Sequence, residues 1–140
     1  MIMGRKNARE KAMTLIYQME LTNYPADEII RDFFDNNELK FSNEDIEYIK
    51  DCVYGVEKNL AKIDELIDKH AHGWKLNRLA KVDLSIMRLA IYEIMEREDV
   101  PTPVAINEAV ELAKIYGTDQ SPAFINGVLA KVVEEIGLYG

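Results

Sequence analysis

Four of the first eleven residues are cations: Arg5, Lys6, Arg9 and Lys11 stand against a single acid, Glu10, and give that segment a formal +3. The whole chain carries −8, which leaves −11 for the remainder. An acidic body repels phosphate, so a basic segment at one end describes a local contact for an anionic partner and not general adhesion to polyanions. On a helix Arg5 and Arg9 fall one turn apart with Lys6 beside them, within a sector of about 100°. Cations placed on phosphates release counterions, which gives salt-dependent affinity without base preference. The same residues also suit the solvated end of an ordinary helix.

Discrimination between bases needs a second element. Phe124 falls in the first turn of a helix opened by Ser121-Pro122, at the edge of that helix's inner arc and close to its free amides. An aromatic edge there can stack an unpaired base, and Asn126 can add a base-edge hydrogen bond. The competing assignment makes Phe124 a plug for the end of the core and Asn126 a cap-region residue.

Catalytic chemistry finds little to work with. Gly55, Gly73, Gly117 and Gly127 are isolated, and no Lys-Ser/Thr pair follows a glycine-rich segment, so no phosphate loop is present. His70 and His72 point about 200° apart on a helix and could share a metal only in an irregular turn; a polar helix end is the alternative. Cys52 lies on an apolar stripe as a small buried side chain and has no second cysteine to pair with. Glu93 projects within an apolar arc and asks for buried donors. No enzymatic activity, metal or cofactor is expected. The longest apolar stretches fall short of the roughly 20 residues of a membrane span, and the start lacks a signal-peptide core, so a cytoplasmic protein is expected.

Positioning these side chains falls to helices. Glycine and proline are sparse, strand-like alternation is absent, and apolar residues repeat at helical spacing. Residues 5–22 put Ala8, Ala12, Leu15, Ile16 and Met19 on one stripe. Pro25 opens a short helix that ends near Asn36 and Asn37. Ser42, with Asp45 three positions on, reads as a capping box with a shorter acid; the stripe that follows breaks near Lys58, where Asn59 can cap a new helix. Residues 76–96 carry apolar groups on two sides, including Leu79, Ile86 and Leu89 on one and Leu84, Met87 and Ile91 on the other. Such a helix needs burial on both faces, against two helical subdomains or against one subdomain and a partner protein. Thr102-Pro103 and Ser121-Pro122 each supply an N-cap and a first-turn proline, while Gly117 and Gly137 end the helices before them. The sum is an all-α protein of about seven helices. At 140 residues, 48% of them hydrophobic, it can form one compact domain or two small ones without disulfide support.

Four blocks now stand out in order and spacing: Arg5-Lys6-Asn7-Ala8-Arg9-Glu10 leading to Leu15-Ile16-Tyr17-Gln18; Arg88-Leu89-Ala90-Ile91-Tyr92-Glu93; Val100-Pro101 with Val104-Ala105-Ile106-Asn107-Glu108-Ala109-Val110-Glu111-Leu112-Ala113-Lys114; and Phe124-Ile125-Asn126-Gly127-Val128-Leu129. Over nearly the whole chain this resembles the NusB family of bacterial transcription antitermination factors. The resemblance implies two small helical bundles sharing a central helix, an N-terminal subdomain of about residues 1–58 and a C-terminal one of about 59–140. It implies a non-enzymatic role: pairing with the small-subunit ribosomal protein NusE and binding, with it, single-stranded boxA RNA of ribosomal transcripts in the transcription elongation complex. Carried over by position, Arg5, Lys6 and Arg9 would touch RNA, and Lys114 and Phe124 would line the same surface. Tyr17 and Asp83, with Leu84 and Met87 nearby, would face the protein partner. Two departures, Asn7 within the basic run and Ala123 where a basic residue often precedes the aromatic, imply weaker RNA binding alone and greater dependence on the partner. A helical protein-protein adapter without sequence-specific RNA binding is the alternative, and an apolar face awaiting a partner could also close a homodimer.

Overall fold

The computed structural model describes residues 2–36 and 40–139. Among them are seven α-helices: α1 (Arg5–Thr22), α2 (Ala26–Asn36), α3 (Asn43–Lys58), α4 (Leu60–His70), α5 (Lys81–Glu96), α6 (Thr102–Tyr116) and α7 (Ser121–Tyr139). The all-α expectation holds. Two strands of two residues each, β1 (Ile2–Met3) and β2 (Lys40–Phe41), pair in parallel; segments so short carry no alternation that a sequence could display. The chain divides into two compact units, Met1–Lys58 and Asn59–Gly140.

In the first unit α3 packs against α1 and α2. Ala8, Ala12, Leu15 and Ile16 of α1 are buried, as are Ile49, Cys52, Val53 and Val56 of α3. The helix ends follow local chemistry. Asn23 adopts a left-handed φ of 60° and its N–H closes α1 on Met19 O at 2.9 Å. Pro25 lies one residue ahead of α2, its carbonyl accepting from Glu28 and Ile29, and the Ala26 N–H donates to Glu57 Oε2 at 2.7 Å. A carboxylate at a helix start satisfies an orphan donor and complements the dipole. The expected end of α2 holds at Asn36; Asn37 lies outside the described residues. Ser42 Oγ accepts from the Asp45 N–H at 3.1 Å, but the Asp45 carboxylate turns to Arg5, so half of the expected capping box forms.

In the second unit α5 packs against α4, α6 and α7. Its run from Leu84 to Glu93 is buried without interruption, which satisfies the need for cover on both faces. Arg88, 5% exposed, donates from Nε and Nη2 to the two carboxylate oxygens of Asp64, each at 2.8 Å, and so ties α5 to α4 through a bidentate pair.

Several boundaries differ from expectation. The helix expected over 76–96 is a short 3-10 turn, Leu76–Arg78, then extended Leu79 and Ala80, then α5. Leu79 is buried from that extended backbone, so its apolar side chain serves the core without being helical. Asn59 occupies the N-cap of α4 through its carbonyl, which accepts from the Ile63 N–H, and its side chain makes no cap bond. Pro101, not Thr102, is the N-cap of α6, which leaves Pro103 at the second helical position. Helix α7 continues past Gly137 to Tyr139. No helix among the described residues is long and apolar enough to cross a membrane.

Candidate nucleic-acid interface

The start of α1 is built around Tyr48 of α3, which is fully buried. The Arg5 guanidinium lies 4.3 Å from the Tyr48 ring centroid and donates from Nε to Asp45 Oδ1 at 2.7 Å. Arg9 lies 5.6 Å from the same ring and is 6% exposed. An electron-rich ring face and an acid in the first turn of α3 thus claim two of the expected RNA cations. This corrects the expectation that all three cations form one surface patch: Lys6 is exposed, Arg5 is partly exposed with its charge compensated, and Arg9 is packed inside the unit.

In the second unit Lys114 is exposed and pairs with Glu111 at 3.1 Å across one turn of α6. A surface pair of this kind is weak and yields readily to a phosphate. Phe124 is half-buried in the first turn of α7, Ile125 beside it is fully buried, and Asn126 is exposed. Ile125 takes the core position, which leaves the Phe124 ring at the rim. That ring lines two cavities, one of about 260 Å³ with Trp74, Arg78, Asp83 and Ser121, the other of about 340 Å³ with His70, His72, Trp74 and Lys131. Sequence reasoning missed Trp74. Its only signal was its place behind Gly73, in a gap between helices where a large aromatic residue has no stripe to join.

Asp83 stands in the first turn of α5. Its Oδ2 accepts from Ser121 Oγ at 3.1 Å, and Ser121 Oγ in turn accepts from the Thr118 N–H at 3.0 Å. Its Oδ1 is buried with no hydrogen-bond partner. Burial pushes the carboxyl above its usual range, and the Ser121 hydrogen bond offsets part of that rise. Ser121 therefore braces the α6–α7 turn rather than capping α7 with its side chain. Of the expected partner-facing set, Tyr17 and Asp83 are partly exposed, whereas Leu84 and Met87 are 1% and 0% exposed. Those two are corrected to core residues: the second apolar face of α5 is covered within the chain.

The remaining reactive side chains are placed as follows. His70 Nε2 lies 3.0 Å from Glu135 Oε1, and Lys69 Nζ lies 2.6 Å from the same oxygen. The Lys69 hydrogen bond, with a smaller contribution from His70, holds the Glu135 carboxyl below its usual range. His72 is exposed in left-handed backbone, with φ 38°. Among the described residues no three metal-ligating side chains converge. Cys52 is fully buried, and Glu93 is 1% exposed.

Solved structures with the same helical arrangement set the class. The T. maritima NusB structure matches with a TM-score of 0.85 and 33% identity, covering 96% of this chain and 94% of that one. The structure of antitermination factors NusB and NusE in complex with dsRNA matches with a TM-score of 0.81 and 25% identity, covering 94% and 96%. The fold is that of all-helical antitermination factors. Sequence then narrows the assignment: the NusB family model matches residues 6–134, and the transcription antitermination protein NusB of Acetivibrio thermocellus is 52% identical over 132 residues, covering 94% of this chain and 90% of the relative. The chain belongs to the NusB family.

Proposed function

We propose that this chain is a transcription antitermination factor that binds boxA-type single-stranded RNA of ribosomal transcripts together with NusE, and that it acts by binding without catalysis. The observation that carries this reading is the likeness, over nearly its whole length, to relatives named as transcription antitermination proteins, supported by the neighbour solved with NusE and dsRNA. Within the first unit we assign RNA contact to Lys6 and Arg5, and in the second to Lys114, Phe124 and Asn126. Tyr17 and Asp83 are assigned to the protein partner. Arg9 supports the site from beneath, through Tyr48.

Anisotropy titration tests this reading, with boxA RNA, a scrambled single strand and a duplex, each with and without NusE. Lys6→Ala with Lys114→Ala should weaken boxA binding several-fold and flatten the salt dependence by about 0.7 log units per lost phosphate contact. Arg9→Ala should lower the melting temperature instead. The burial of Arg9 and the pairing of Arg5 with Asp45 favour one second reading, a protein-protein adapter. Equal affinity for boxA and scrambled RNA in the presence of NusE would establish that adapter and remove the antitermination reading.

A further inference from the structure

Trp74 is the chain's single tryptophan, and it is 56% exposed. A lone exposed apolar residue is ordinary; the backbone that holds this one is not. The turn from Ala71 to Trp74 closes with the Trp74 N–H on Ala71 O at 3.3 Å, and both central residues have positive φ, 38° at His72 and 84° at Gly73. Glycine adopts that region freely, but histidine is held there at a conformational cost, and such costs gather where a side chain must be aimed.

The Trp74 side chain borders the same space as Phe124. Trp74 and Phe124 are the residues common to the two cavities described above, yet no ring-to-ring contact joins them. Two aromatic side chains that border the same spaces without stacking on each other leave the exposed indole open to a planar ligand. Lys131 and His72 line one of these spaces and Arg78 the other. Of the nearby acids, Glu135 is engaged by Lys69 and His70, Asp83 accepts from Ser121 through Oδ2 alone, and Glu134 lies 3.9 Å from Lys131 in an exposed pair that a phosphate can displace. Aromatic surface with Lys131 and Arg78 at its edges matches a flat base on a phosphate backbone, whereas an apolar helix would need a continuous greasy floor.

We propose that Trp74 is a second stacking platform beside Phe124: an unpaired nucleobase of the RNA stacks on the exposed indole in the space that the Phe124 ring also borders, while its flanking phosphates lie toward Lys131. This rests on the RNA-binding reading above and adds a residue that reading does not contain. Base recognition would then come from stacking on the indole rather than from charge.

The lone tryptophan makes the test direct. The full chain is titrated with a single-stranded boxA oligoribonucleotide while indole emission is followed, in parallel with anisotropy of a dye-labelled copy of the same RNA. Stacking quenches the indole, so emission should fall along the anisotropy isotherm. Trp74→Ala should weaken binding about tenfold and Trp74→Phe, which keeps a ring, less than about threefold. Both variants should melt with the parent because the ring is exposed. A normal isotherm with unaltered emission, together with wild-type affinity for Trp74→Ala, overturns the platform and leaves the RNA reading intact. Trp74→Ala that loses NusE but binds RNA normally alone also overturns it, assigning the ring to the protein partner. No RNA binding by the parent chain, with or without NusE, defeats the RNA reading and this inference with it.

Discussion

Asp83 is a carboxyl whose surroundings favour its proton. Its place in the first turn of α5 lets the helix dipole help the charged form, and Ser121 donates to Oδ2, yet burial dominates and the net displacement is upward from the ordinary 3.8. A folded-state value above the unfolded one means that this group contributes stability at pH below 3.8 and loses it as pH rises through the raised value. At neutral pH the partly desolvated negative charge opposes folding. Asp83→Asn keeps an oxygen for Ser121 and removes the charge, so it should melt higher than the parent at pH 7, with the gap closing as pH falls toward 4. Paired melts across that range check the sign; an Asn variant less stable at pH 7 would show that the carboxylate is held by donors stronger than Ser121.

Glycine at the end of α6 shows how an element boundary is set. Gly117 ends α6 as expected, yet its φ is −94°, which any residue adopts. Space is what excludes a side chain: a Cβ there would meet Ser121 Oγ at 2.5 Å and Ala113 O at 2.9 Å. Gly117→Ala must displace Ser121 from Thr118 and Asp83, and should cost about 1–3 kcal/mol in denaturant melts. Gly127, inside α7, has nothing within 4 Å of the same atom. Gly127→Ala should therefore stabilise by about 0.5–1 kcal/mol through helix propensity alone. If both substitutions moved stability the same way, close approach would not be what separates them.

At the scale of the molecule, periodicity and caps made the helices legible, including the break at Lys58, because apolar spacing and Ser or Pro at helix starts are local signals. What escaped was tertiary. Nothing near Arg9 in the sequence announces Tyr48, thirty-nine positions on, whose ring draws both arginines inward. Leu84 and Met87 looked like a face awaiting a partner because a helix apolar all round reads identically whether its cover is its own chain or another protein. The extended step at Leu79-Ala80 carries no proline or glycine to mark it. Trp74 escaped for the opposite reason: it belongs to no stripe, and its meaning lies in a turn and in Phe124.

Cys52, sealed at 0% exposure among the packed residues of α3, turns the first unit into its own timekeeper. A thiol so enclosed cannot meet a disulfide reagent until the surrounding helices part, and no other cysteine in the sequence competes for it. The rate of modification under native buffer should thus be slower than that of a free thiol by the fraction of time the unit spends open, converting an unadorned chain into a gauge of transient opening. Labelling as fast as that of a small-molecule thiol would mean the helices around Cys52 breathe on every encounter.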